Sequence, residues 1–202
     1  MEWAPSLFAA HPLDLKTGLD RIVQAGLNHV HLDCMDGHFV PNITFGPSVI
    51  KAVKNYVPRL FRDVHLMLAQ PEDFIEKYIE AGAQRLFIHI EINSKSLRNS
   101  IEMLLKSKIE WGIAINPETS IACLEAYSDW ILQTKCLLVM SVHPGFSGQA
   151  FIPQTYERIQ EIRKVFPALE ICVDGGVTPV IASNLEQLGV ASCVRGSNFF
   201  KE

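Results

Sequence analysis

The sequence predicts an α/β protein: a single (β/α)8 TIM barrel, one domain over residues 1–202, with its last helix truncated or missing. Eight short runs rich in Val, Ile and Leu follow one another, each but the last succeeded by a segment whose apolar residues recur at helical spacing. The runs are apolar along their whole length, as in parallel strands covered on both faces. Each pair of runs is separated by a crossover long enough for parallel pairing. Eight such units favour closure into a barrel over an open doubly wound sheet.

The first strand starts at Trp3 and breaks at Pro5-Ser6. A helix over 13–25 follows, with Leu15, Leu19, Ile22 and Val23 on one face and Gly26 as its stop. The second strand covers 30–37, and a loop over 37–47, rich in Asn, Pro and Gly, leads into a helix over 48–56. The third strand, 61–67, precedes a helix over 72–80 that Gly82 ends, and the fourth, 85–91, precedes a helix over 96–107. The fifth strand, 111–115, turns at Asn116-Pro117 into a brief helix over 121–127. Strands over 136–142 and 170–174 are followed by helices over 153–165 and 179–188, and 191–195 is the eighth strand. Only Gly196 to Glu202 remain, so the seam between the last and first strands is expected to be open or covered by another subunit.

With 202 residues, 48% of them hydrophobic, the chain can bury one sizeable core. Its net charge of -4, with no basic block, gives no electrostatic reason to bind nucleic acid or an anionic membrane, so a small-molecule partner is expected. The five cysteines contain no Cys-x-x-Cys pair, and four of them lie in apolar runs, as core thiols of a reducing compartment do. Met1 to Pro5 lack the character of a signal peptide and no apolar run approaches membrane-spanning length, so a cytoplasmic location is expected.

The second strand carries the chemistry. Side chains alternate along a strand, so His31, Asp33 and Met35 share one face. A buried carboxylate is costly without a cation or donors to meet it. Polar residues at the C-terminal ends of barrel strands build active sites, and these ends offer Ser6, His31, Asp33, His65, His89, Glu91 and Asp174. Two imidazoles and two carboxylates, His31, Asp33, His65 and Asp174, suit one divalent zinc, iron, manganese or cobalt ion. His89 and Glu91 have the spacing of a second pair but read as support for a shell already filled. Two aspartates flanking a substrate beside a Lewis acid suit proton removal next to a carbonyl and its return to the opposite face. Glycine-rich strand ends at Gly145-Phe146-Ser147-Gly148, Gly175-Gly176 and Gly196-Ser197 point to a phosphate held by backbone N–H groups. Met35, Met67 and Met140 suggest an apolar lid.

These residues resemble the ribulose-phosphate 3-epimerase family. The resemblance is carried by Ala4-Pro5-Ser6, the long run from His31 to Pro47, and Asp63-Val64-His65-Leu66-Met67. It continues through Asn116-Pro117-Glu118-Thr119, Met140-Ser141-Val142, Pro144-Gly145-Phe146, Gln149, Phe151-Ile152-Pro153, Val173-Asp174-Gly175-Gly176 and Gly196-Ser197. It implies interconversion of D-ribulose 5-phosphate and D-xylulose 5-phosphate in the pentose phosphate pathway. It further implies Asp33 and Asp174 as the acid/bases, the same metal set, Ser6 and His65 at the substrate, the three methionines as a cap, and the glycine loops at the phosphate. A homo-oligomer is expected. Alternatives are epimerisation of a related sugar such as allulose 6-phosphate, or a non-catalytic phosphosugar-binding relative. Three positions depart from the family pattern: Ser147 stands where glycine is common, His143 replaces an Asn-like residue, and Arg195 replaces a small one.

Overall fold

A computed structural model describes residues 1–200. Its strands are β1 (Glu2–Pro5), β2 (His29–Met35), β3 (Phe61–Met67), β4 (Arg85–His89), β5 (Glu110–Ile115), β6 (Cys136–Met140), β7 (Glu170–Asp174) and β8 (Ser192–Arg195). All pair in parallel in the order β1-β8-β7-β6-β5-β4-β3-β2. The two sheet edges, β1 and β2, meet through a single parallel bridge between Ser6 and His31. The ring therefore closes at the level of the residues expected to do chemistry.

The helices are α1 (Leu15–Gln24), α2 (Pro47–Tyr56), α3 (Ile75–Ala81), α4 (Ser94–Lys106), α5 (Ile121–Ala126), α6 (Ser128–Ile131), α7 (Thr155–Val165), α8 (Pro179–Gln187) and α9 (Ser197–Phe200). Their starts and stops follow local chemistry. Asp14, Asn93, Ser120 and Thr178 cap α1, α4, α5 and α8 by accepting backbone N–H groups. Gly82 ends α3 at φ 109°. The helix of α4 begins two residues before the expected start because Asn93 caps it. In turn, β4 ends at His89 and leaves Glu91 on the following loop. Among the described residues β8 is followed by one helical turn, α9, where the sequence led us to expect a truncated or missing helix. That turn buries Phe199 and packs on α1, where Arg21 donates to the Phe200 carbonyl at 3.1 Å.

Alternation along the strands divides the core. Leu32, Cys34, Val64, Leu66, Ile171 and Cys193 point outwards into the layer beneath the helices. Phe87, Ala114, Leu138, Cys172 and Val194 fill the barrel interior. All five cysteines are free, and the four in strands are buried. Among the described residues no helix is long and apolar enough to cross a membrane.

Candidate active site

In the β2–β3 register His31 stands opposite Asp63, and Asp33 opposite His65, all four turned into the barrel. Asp174 ends β7 on the other side of the ring. His31 Nε2 lies 3.4 Å from Asp33 Oδ1 and 3.6 Å from Asp174 Oδ2. His65 Nδ1 lies 3.3 Å and 3.7 Å from the same two oxygens. One donor atom from each of the four residues falls within 4.8 Å of every other.

These residues fit a divalent metal. Ligand atoms about 2.0 Å from a common centre stand roughly 3.3 Å apart on a tetrahedron, close to the spacings seen here. His31 Nε2 is fully buried with no hydrogen-bond partner, aimed at this point. Buried imidazole nitrogen is rarely left orphaned, and two carboxylates match the charge of a divalent ion.

Support lies behind the cluster. His31 Nδ1 is 3.4 Å from Asp63 Oδ2, which Arg85 approaches from the far side. Ser6 Oγ donates to Asp33 Oδ2, and Thr44 clasps the end of β2, donating to the Asp33 carbonyl at 2.5 Å and accepting from Met35 N at 3.0 Å. Burial raises the Asp33 carboxyl, but His31 and His65 outweigh it and hold it well below the usual range. Burial and the charge of Asp33 push Asp174 the other way, up to about 7. Burial also lowers His65, whereas for His31 the surrounding carboxylates overcome burial and raise it.

Asp33 and Asp174 form the floor of a cleft. Ser6, Met35, Met67, Met140, Gly145, Phe146, Ser147, Gly148, Gly175, Gly176, Gly196 and Ser197 all line it together with Asp33 and Asp174. His31 and His65 lie below the floor, fully buried. Both ring nitrogens of His65 are engaged within the protein, so it faces the four-donor centre rather than the open cleft. Gly176 adopts φ +65°, and a Cβ there would sit 2.3 Å from the backbone nitrogen of Phe151. The loop needs glycine at that point.

The three departures are absorbed. Ser147 has no positive φ, because the left-handed conformations of its loop fall on Gly145 and Gly148. His143 is exposed at the rim beside Glu118, 3.0 Å away. Arg195 points outwards, its guanidinium over Trp3 and Phe199, away from the cleft.

Sequence reasoning missed several contributors. Phe8 and Asn198 also line the cleft. Asn42 Nδ2 donates to the Gly145 carbonyl at 2.8 Å, tying the loop after β2 to the loop after β6. Asp63 was detectable, because it lies two residues before His65 and so shares its face. The pairing of Asn42 with Gly145, 103 positions apart, had no local signal.

A profile described as the ribulose-phosphate 3 epimerase family matches residues 2–200. The ribulose-phosphate 3-epimerase of Chlamydia muridarum is 40% identical over 98% of this chain and 88% of its own. The cytoplasmic isoform of that enzyme from Oryza sativa subsp. japonica is 34% identical over 98% of this chain and 86% of its own. Among solved structures, 3-hexulose-6-phosphate synthase from Salmonella typhimurium superposes with a TM-score of 0.75. The two are 16% identical over 98% of this chain and 89% of that one, a likeness of fold alone.

Proposed function

The chain belongs to the ribulose-phosphate 3-epimerase family, and we propose that it interconverts D-ribulose 5-phosphate and D-xylulose 5-phosphate with one divalent ion held by His31, Asp33, His65 and Asp174. The observation that carries this reading is the pair Asp33 and Asp174: two carboxylates brought from opposite sides of the ring, β2 and β7, to one buried point beside His31 and His65.

Epimerisation beside a carbonyl removes a proton from one face of the carbon and returns one to the other, which calls for an ionised carboxylate and a protonated one on opposite sides. Asp33, held ionised, takes the proton from C3, and the electron pair of the C–H bond passes into an enediolate. Asp174 delivers its own proton to the opposite face, and the C–H bond re-forms with inverted configuration. In the reverse direction the two exchange roles. Ser6 fixes the Asp33 carboxylate through Oδ2. Met35, Met67 and Met140 shed water from the reacting carbon, and the backbone at Gly145–Gly148, Gly175-Gly176 and Gly196-Ser197 receives the phosphate. When bound, the metal supplies positive charge beside the oxygens that gain negative charge.

The assembled donor set favours a catalyst over a non-catalytic phosphosugar binder. The test is conversion of D-ribulose 5-phosphate by protein reconstituted in turn with zinc, iron(II), manganese and cobalt. Xylulose 5-phosphate should form, and chelation should stop it. Metal-replete folded protein that leaves the sugar unchanged would refute the proposal, and greater efficiency with D-allulose 6-phosphate would reassign the substrate.

A further inference from the structure

We propose that Glu91 and His89, neither of which supplies a donor atom to the four-donor centre, set the tautomer of His65 so that its Nδ1 reaches that centre without a proton. The inference rests on the reading of His65 as a metal ligand and adds two positioning residues behind it.

Three hydrogen bonds run in series. The Asn116 backbone N–H donates to Glu91 Oε1 at 2.7 Å. Glu91 Oε2 lies 2.9 Å from His89 Nδ1, and His89 Nε2 lies 2.8 Å from His65 Nε2. Both rings are fully buried and lie nearly parallel, 28° apart, while Phe39 packs on the outer face of His89 at 4.5 Å between centroids. Neither ring can turn away without leaving a buried nitrogen orphaned.

Proton counting then leaves one arrangement of neutral rings. A carboxylate oxygen only accepts, so His89 Nδ1 carries a proton and His89 Nε2 does not. Two facing nitrogens at 2.8 Å share one proton, so it belongs to His65 Nε2. His65 Nδ1 is then bare. Glu91 thus acts on the centre through two imidazoles, as a carboxylate behind a ligating histidine does through one.

The isosteric variant Glu91→Gln reverses the series. Its amide oxygen must still meet the Asn116 N–H, which turns the NH2 group towards His89 Nδ1. His89 must then accept at Nδ1 and donate from Nε2, and the proton of His65 moves to Nδ1, where a metal would bind. The experiment uses full-length, metal-free protein labelled with 15N-histidine, with no substrate present. Nitrogen NMR reads the protonated nitrogen of each ring, and chelator competition reads the affinity for zinc or cobalt(II).

In the unsubstituted protein His65 should carry its proton on Nε2 and His89 on Nδ1. In Glu91→Gln both should switch, and metal affinity should fall by about 10- to 100-fold. A proton on His65 Nδ1 in the unsubstituted protein overturns the proposal, and this reading needs no variant to fold. A switched tautomer with undiminished affinity overturns it as well, as does weakened affinity with the tautomer unchanged, which would mark Glu91 as a packing residue. Because no arm contains substrate, a failed sugar assignment would leave these results standing.

Discussion

Asp33 and His65 are register partners across β2 and β3, and their side chains meet with Asp33 Oδ1 3.3 Å from His65 Nδ1. The geometry of the site is thus inherited from strand pairing. A slip of one residue would turn both side chains out of the barrel.

Replacing Asp33 by Asn keeps the shape but removes a base and a ligand charge. Turnover should fall by at least about 10²- to 10⁴-fold, the usual worth of a positioned acid or base, while the melting temperature changes little, since the variant also relieves a buried charge. Steady-state kinetics and thermal melting on the same preparation check this. Near-normal turnover would remove Asp33 from the mechanism.

Asp63 stands behind His31 as Glu91 stands behind His65, but with one step fewer. Asp63→Asn should weaken metal binding by about 10- to 100-fold, measured by competition with a chelator of known affinity. Unchanged affinity would leave Asp63 only as the neighbour of Arg85.

Two glycines separate backbone strain from crowding. Gly176→Ala meets both, since φ is +65° and its Cβ would fall 2.3 Å from Phe151 N, whereas Gly148 at φ +85° has open space around it. Gly148→Ala should cost about 1–2 kcal/mol, the price of a left-handed alanine. Gly176→Ala should cost more and raise KM for the sugar phosphate. Denaturant titrations and kinetics of the two variants test the ranking, and equal losses would contradict it.

Asp36 pins the loop after β2. Burial draws its carboxyl upwards, but the N–H groups of Ala69, Phe39 and His38 donate to it and hold it below the ordinary value. A carboxyl depressed in the folded state contributes stability that is present above its unfolded pKa, about 3.9, and lost as pH falls through the lowered folded value. Between about pH 6 and pH 3 the denaturant midpoint of the unsubstituted protein should therefore drop more steeply than that of Asp36→Asn, the two curves converging in acid. Parallel curves would show that these hydrogen bonds contribute nothing.

The strand order and the four donors were legible because both depend on local pattern: β-branched runs, glycine stops, and polar residues at strand ends. What stayed hidden depends on distant pieces meeting. His89 and Glu91 read as a pair, which they are, but their contact with His65 appears only once β4 lies beside β3. Ser147 looked like a constraint on the phosphate loop, yet the strained conformations fall on its glycine neighbours. Arg195 stands where a small residue is usual before Gly196, and alternation along β8 sends it outwards while Val194 fills the interior.

Proton transfer at C3 by Asp33 and Asp174 is the step on which the proposed reaction turns. Metal-loaded protein incubated with D-ribulose 5-phosphate in heavy water tests it most directly, with deuterium at C3 followed by NMR in both the remaining substrate and the product. Deuterium should appear at C3 of the D-xylulose 5-phosphate formed, and should be lost together with turnover in Asp33→Asn and Asp174→Asn. Epimerised product that retains the original hydrogen at C3, or exchange that persists in both variants, would contradict it.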